Sequence, residues 1–170
     1  QILESARGQE MVVLDSEAAS HTVWRWLTVE AGWPVFGRDL EPKRTVLPQT
    51  GLEQQVVSAT KGCFPGQEVV SRIRTYGSVP VALRGLEFAL ENGPSPDEMP
   101  GPRKVLKVFD QKIGTWASAA WSPTRQRTVA LAFVDRDHRA PGTRLQVETD
   151  SGPVVAEVVH LPFYQAADQR

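Results

Sequence analysis

The second half of the chain constrains the fold most, because six short apolar runs follow one another there with turn residues between them. Each run has the length and β-branched or aromatic content of a strand, and the intervening Asn, Asp, Gly and Pro residues are those that form tight turns. The pattern predicts a small antiparallel barrel or sandwich over about residues 79–164. In the last run, Val154, Ala156 and Val158 alternate with other residues, so we expect them to point inward together. The runs are VALRGLEF, KVLKVF, IGTWASAAW, TVALAFV, TRLQVET and PVVAEVVHL.

The first part of the chain has a mixed pattern. Residues 11–14 (MVVL) predict a short strand, after which Asp15 or Ser16 caps a helix that runs to about Leu27 with apolar residues at helical spacing. A turn-rich stretch follows to residue 52, and a second helix is predicted to begin at Gly66. We therefore expect an α+β domain in residues 1–78 and an antiparallel β-barrel domain in residues 79–170. The Pro- and Gly-rich segment 92–102 is predicted to be a mobile surface loop.

Composition excludes several classes of protein. The chain has 170 residues, 41% of them hydrophobic, and no apolar run approaches the length of about 20 residues that spans a bilayer. The net charge of −1 argues against direct binding of nucleic acid. The three histidines are widely separated without zinc-ligand spacing, so no metal site is expected. A single cysteine fits a reducing compartment, and we expect a cytoplasmic protein without membrane contact. Because the sequence begins at Gln1, without a leader, we expect a fragment of a longer chain.

Residues 61–68 read KGCFPGQE and contain the only cysteine, Cys63. A lone thiol is often buried as a small hydrophobe, and a packing role in a turn is one interpretation. The other is a reactive thiol, since the Lys61 ammonium and a helix start at Gly66 both favour an exposed thiolate. Under that interpretation, Gly62 and Gly66 shape the loop while Gln67 and Glu68 support it by hydrogen bonds or capping.

The octapeptide resembles the KGC(F/Y)xGQE signature of the YgfZ-type folate-binding proteins, which are relatives of the glycine-cleavage T-protein, an aminomethyltransferase. The resemblance extends to LTVEAGWPVFGRDL at 27–40, which is similar to LRxEAGxPxxGxD, and to LPQTGL, APGTRLQV and LPFY further on. It covers about residues 27–164. It implies a three-domain protein of which this chain holds the later part of a ferredoxin-like α+β domain and the whole carboxy-terminal barrel.

The resemblance implies that Glu30 binds folate, as either tetrahydrofolate or a one-carbon derivative. A carboxylate can accept two N–H groups from the edge of a pterin ring, and Glu30 matches the glutamate of the EAG element. On residue chemistry alone, the alternative is a solvated surface carboxylate. This chain departs from the pattern at Thr28, where the family generally has arginine. Trp33 and Phe36 follow directly, and we expect them to be packing residues rather than stacking partners of the pterin.

Basic residues within and after the octapeptide give this stretch a local excess of positive charge. Lys61 and Arg72 are candidate folate-binding residues, which would meet the carboxylates of the ligand. Together with Arg74 and Arg84, they could receive an anionic tail of linked glutamates, and the alternative is a solvated charged face.

The resemblance implies three functions to compare. The first is a folate-dependent factor in iron–sulfur cluster assembly or repair, which supports enzymes including those that modify tRNA; its partners are iron–sulfur enzymes or assembly proteins. The second is a tetrahydrofolate-dependent aminomethyltransferase, whose catalytic aspartate belongs to an amino-terminal domain outside this chain. The third is a non-catalytic interaction module, which predicts no folate binding.

Overall fold

The computed structural model describes residues 17–58, 60, 62–77, 79–89 and 93–164. Its helices lie in the first part of the chain and its strands in the second. The helices are α1 (Glu17–Glu30), α2 (Glu53–Val56) and α3 (Gln67–Tyr76), with short 3-10 turns at Leu47–Gln49 and Pro96–Glu98. The strands are β1 (Val81–Phe88), β2 (Val105–Val108), β3 (Gln111–Ser122), β4 (Arg127–Asp135), β5 (Arg144–Thr149) and β6 (Gly152–Val159).

The six strands form one antiparallel sheet that closes into a barrel, in the order β1-β4-β3-β2-β5-β6. Strand β1 completes the ring because it pairs with β4 on one side and with β6 on the other. Gly85, for example, lies opposite Leu131 in one pair and opposite Val159 in the other. The predicted α+β class and antiparallel barrel are confirmed, and closure of the sheet excludes the sandwich.

The interior of the barrel is a single apolar core. Ala156 and Val158 are fully buried in it and the half-buried Val154 packs against it, so the predicted inward alternation of β6 is confirmed. Trp116 and Met99 also belong to this core. Because Met99 comes from the segment between β1 and β2, that segment contributes a core side chain as well as surface. The prediction of a mobile surface loop over residues 92–102 is therefore wrong from Gly93 onward. There a 3-10 turn and the buried Met99 side chain hold the segment on the barrel.

A second apolar core lies on the outer side of β1, β3 and β4. Val29 at the end of α1 is fully buried there, as is Phe163 from the segment after β6. Strand β4 consequently has apolar neighbours on both faces, and every residue from 128 to 134 is buried. Burial on both faces explains why this strand is a continuous apolar run rather than an alternating one.

Helix α1 ends at Glu30, three residues beyond the predicted Leu27, because a glycine stops it at Gly32. Gly32 has a φ of 67°, and its N–H donates to the carbonyl of Val29 while the N–H of Trp33 donates to the carbonyl of Thr28. These two bonds form the Schellman arrangement that commonly ends helices. The extra turn carries the Glu30 side chain onto the barrel.

Helix α3 begins at Gln67, directly after Gly66, which has a φ of 86°. The helix start predicted at Gly66 is thus confirmed. The predicted strand at 11–14 and the Asp15 or Ser16 cap lie outside the described residues. No helix among the described residues is both long enough and apolar enough to cross a membrane.

Trp33 and Phe36 differ from the prediction. Both are exposed, by 43% and 74% of their surface, so their predicted packing role is wrong. The loop that follows α1 turns back on itself at Gly37, which leaves these two rings on its outer side.

Candidate functional site

Glu30 is the last residue of α1 and is buried, with only 2% of its surface exposed. The alternative that it is a solvated surface carboxylate is therefore wrong. The helix ends at Glu30, just before the Schellman turn at Gly32, and the Glu30 side chain contacts the end of β3 and the turn between β3 and β4. Two residues bind its carboxylate: Ser122 is the last residue of β3, and Thr124 lies in the turn that follows.

Four groups hold Glu30 in place. The Ser122 hydroxyl donates to Oε1, and so does the backbone N–H of Thr124 at 3.3 Å. The Thr124 hydroxyl contacts Oε2, also at 3.3 Å. The backbone carbonyl of Glu30 accepts a hydrogen bond of 2.9 Å from the N–H of Phe163. These bonds join the end of α1 to the barrel and to the segment after β6.

The electrostatics of Glu30 are unusual for a buried carboxylate. Its protein donors are neutral groups, and among the described residues no lysine, arginine or histidine lies within ion-pair distance of it. A carboxylate has about four acceptor positions, and only Oε1 has two donors. Oε2 has one long contact, so it retains the capacity to accept a further N–H group.

A second buried carboxylate is held by the same strand. Asp39 is 3% exposed and accepts hydrogen bonds from the Ser118 hydroxyl at 2.5 Å and from the backbone N–H of Val35 at 2.8 Å. The Arg38 guanidinium lies 3.2 Å from Oδ2. Ser118 and Ser122 are four residues apart on β3, so two serines of one strand anchor the two ends of the EAGWPVFGRD segment. Asp39 is not among the site residues predicted from the sequence, although it occupies the aspartate position of the GxD element.

Cys63 is exposed in the loop before α3. The loop is closed by hydrogen bonds within the octapeptide: the N–H of Phe64 donates to the Gln67 side chain at 3.4 Å, and the N–H of Gln67 donates to the carbonyl of Phe64 at 3.1 Å. The left-handed conformation at Gly66 turns the chain into the helix. Gly62 is also exposed. The thiol therefore lies at the surface beside the amino end of α3.

The predicted basic residues are not gathered into one group. Lys61 lies outside the described residues. Arg72 forms an exposed ion pair with Glu68 one turn before it on α3, at 2.9 Å, and such a pair contributes little to stability. Arg84 lies on β1, where its guanidinium donates to backbone carbonyls. Among the described residues, the hydrogen bonds of Glu30 run to the barrel and to the segment after β6, and none of them reaches the Cys63 loop.

Residues 83–165 match the family model of the glycine cleavage T-protein C-terminal barrel domain. This range begins in β1 and runs past β6, and so covers the barrel seen in the structure. It begins after the octapeptide at 61–68, so the match is independent of that motif.

Curated relatives extend the similarity towards the amino terminus. An aminomethyltransferase of Saccharopolyspora erythraea is 37% identical over 145 residues, which are 82% of this chain and 36% of the relative. An aminomethyltransferase of Bacillus cytotoxicus is 30% identical over 139 residues, with the same two coverages. The chain thus spans about a third of the length of the curated relatives that it matches.

A solved structure shows the same fold. The glycine cleavage system aminomethyltransferase T of Bartonella henselae superposes with a TM-score of 0.65 at 22% sequence identity, covering 82% of this chain and 37% of that one. Together these matches relate the chain to the carboxy-terminal portion of aminomethyltransferases. They support the aminomethyltransferase side of the resemblance drawn from the sequence, while the YgfZ-type assignment depends on the octapeptide alone.

Proposed function

Because residues 83–165 match the C-terminal barrel domain of the glycine cleavage T-protein and the chain is related to aminomethyltransferases, we propose that it is the carboxy-terminal part of a tetrahydrofolate-dependent protein of the aminomethyltransferase type. In this proposal, residues 1–78 complete a folate-binding α+β domain and residues 79–170 form the barrel domain. The observation that carries the proposal is the placement of Glu30, which the barrel holds buried with an acceptor oxygen to spare.

The hydrogen bonds of Glu30 support the proposal of a pterin ligand. The Ser122 hydroxyl and the Thr124 N–H bind Oε1 and orient the carboxylate, while Oε2 has only the 3.3 Å contact of the Thr124 hydroxyl and can accept a further N–H group from a pterin edge. Because the protein donors are neutral, the bound N–H groups would make the charge-assisted bonds that stabilise a buried carboxylate. Tetrahydrofolate would supply the amine that carries the one-carbon unit, while Glu30 binds and orients the ring.

The test is titration of the complete protein with tetrahydrofolate in a calorimeter. Glu30→Gln keeps the side-chain size but removes the charge and turns one acceptor into a donor. We expect a loss of about 1.5 to 3 kcal/mol, the worth of a hydrogen bond to a charged group, which is roughly a 10- to 150-fold rise in Kd. Asp39→Asn is the matched control, since it alters a second buried carboxylate held by the same strand. Equal affinity of Glu30→Gln and Asp39→Asn would remove Glu30 from the folate site.

A second candidate function is favoured by Cys63. Its thiol is exposed in an octapeptide that resembles the YgfZ-type signature, and thiolates bind iron and sulfur species. This candidate is a folate-dependent factor in iron–sulfur cluster assembly or repair, with iron–sulfur enzymes or assembly proteins as partners. The thiol would act on the partner, and the rest of the motif would support it, namely Lys61, Gly62, Gly66, Gln67 and Glu68.

Cys63→Ser separates the two candidates. It keeps the side-chain size but removes most of the nucleophilicity, so folding and folate affinity should be unchanged. An aminomethyltransferase would keep its transfer activity on tetrahydrofolate in this variant. A factor for iron–sulfur enzymes would fail to restore those enzymes in cells that lack the native copy. Full restoration by Cys63→Ser would exclude a role for the thiol.

A further inference from the structure

A cleft separate from Glu30 and Cys63 runs between α2 and the barrel. It has a volume of about 470 Å³, and its polar side chains include Glu53 of α2, Arg84 of β1 and Arg139 from the turn after β4. The side chains of Ile73 and Val79 form an apolar part of its wall. The cleft thus combines two cations, one carboxylate and an apolar side within one space.

Arg84 and Arg139 have no carboxylate partner among the described residues. Arg84 donates through Nε to the carbonyl of Arg139 at 3.1 Å and through Nη1 to the carbonyl of Leu83 at 2.7 Å. Arg139 donates through Nη1 to the carbonyl of Val79 at 3.0 Å. These bonds fix both guanidiniums but use only part of the five N–H donors on each. Within the described part of the chain, neither forms an ion pair with a carboxylate.

The positive charges of the two guanidinium groups also repel each other. Burial lowers the pKa of Arg84 from its usual value, and the neighbouring Arg139 charge lowers it further. Because no carboxylate of the described residues pairs with these two fixed like charges, they favour an anionic ligand, and guanidinium donors match the two oxygens of a carboxylate.

Whereas the two arginines favour an anionic group, Glu53 favours a hydrogen-bond donor. Its Oε2 atom is buried, and no group of the described residues donates a hydrogen bond to it. A buried carboxylate oxygen without a donor is unfavourable, so a ligand that supplies an N–H group there would be stabilised. Arg84 and Arg139 lie beyond ion-pair distance of Glu53 among the described contacts, although all three line the cleft.

We propose that this cleft binds a ligand with a carboxylate beside an N–H donor, the chemistry shared by a free α-amino acid and a γ-linked glutamyl peptide. The ligand carboxylate pairs with Arg84 and Arg139, and its ammonium or amide N–H donates to Glu53. The cleft residues include neither Glu30 nor Cys63, and the ligand needs no pterin. For the glutamyl peptide, which is the tail of linked glutamates considered above for Arg84, the proposal rests on the proposed function; for a free α-amino acid it does not.

The test is calorimetric titration of the complete protein with three probes: glutamate, γ-glutamylglutamate, and succinate, which lacks the N–H group. We expect one of the two N–H-bearing probes to bind at least tenfold more tightly than succinate, and the tighter probe identifies the source of the ligand. Arg139→Gln should weaken binding of that probe at least tenfold. Glu53→Gln should remove the preference over succinate while succinate binding persists.

Arg103→Gln is the matched control, because it removes the same charge from an exposed arginine outside the cleft. Arg84→Gln provides a second variant of the anion pair, with circular dichroism to verify folding. If Arg103→Gln and Arg139→Gln lowered the affinity equally, the change in net charge alone would explain the loss, and the proposal would be overturned. Absence of binding by all three probes would overturn it as well. Tetrahydrofolate titration of Glu30→Gln is independent of these outcomes, so failure of one proposal is distinguishable from failure of the other.

Discussion

Replacing Ser122 by alanine tests whether Glu30 depends on the barrel. The variant removes the main donor to a buried carboxylate and leaves it with two contacts of 3.3 Å, both from Thr124. The backbone N–H of Arg125 also loses its acceptor, since it donates to the Ser122 hydroxyl at 3.0 Å. A hydrogen bond to a charged group contributes about 1.5 to 3 kcal/mol, so we expect a loss of about 2 kcal/mol in the free energy of unfolding.

Ser118→Ala is the matched control for this variant. It removes the same group from the same strand, but Asp39 retains the N–H of Val35 at 2.8 Å and the Arg38 guanidinium at 3.2 Å. Both remaining partners bind Oδ2 at short distances, and the Arg38 charge continues to compensate the carboxylate as a whole, so the loss should be closer to the ~1 kcal/mol of a typical hydrogen bond.

The assay is urea unfolding followed by tryptophan fluorescence. With a slope of roughly 2 kcal/mol per molar urea, typical of small proteins, Ser122→Ala should lower the midpoint by about 1 M and Ser118→Ala by about half as much. On a Glu30→Gln background, Ser122→Ala should lose only about 1 kcal/mol, because the acceptor is then neutral. A loss for Ser122→Ala no larger than for Ser118→Ala would refute the reasoning.

Two further predictions concern packing and exposure. A Cβ at Gly114 would lie 1.9 Å from the backbone carbonyl oxygen of Phe133, so Gly114→Ala should destabilise the barrel by about 3 kcal/mol in urea unfolding, whereas Gly77→Ala, which meets nothing within 4 Å, should be nearly neutral. An equal effect of the two substitutions would contradict the close strand approach. The Cys63 thiol should react with iodoacetamide to one equivalent in the native protein, as mass spectrometry would show; reaction only in denaturant would contradict its exposure.

The barrel could be predicted because its signals are local. Each strand is a short run bounded by turn residues, and the alternation of Val154, Ala156 and Val158 follows from the two-residue period of a strand. The signal for the start of α3 is equally local, since Gly66 adopts the left-handed conformation that few other residues tolerate.

The contacts of Glu30 could not be predicted in the same way. Ser122 and Thr124 are more than ninety residues away in sequence, and no local pattern relates a helix end to a distant strand turn. Long-range packing also explains the error at Trp33 and Phe36, since aromatic composition predicts burial while the loop leaves both rings outside the two cores. The hydrogen bonds of Asp39 could not be predicted for the same reason, because its partner Ser118 lies 79 residues away in sequence, on β3.

The most direct measurement for the proposed function is a crystal structure of the complete protein with tetrahydrofolate. We expect pterin N–H groups to lie about 2.7–3.2 Å from Glu30 Oε2, while Ser122 and Thr124 still hold Oε1. A pterin bound elsewhere, with the Glu30 carboxylate still enclosed by the β3–β4 turn, would contradict the proposal and leave Glu30 as a structural link between α1 and the barrel.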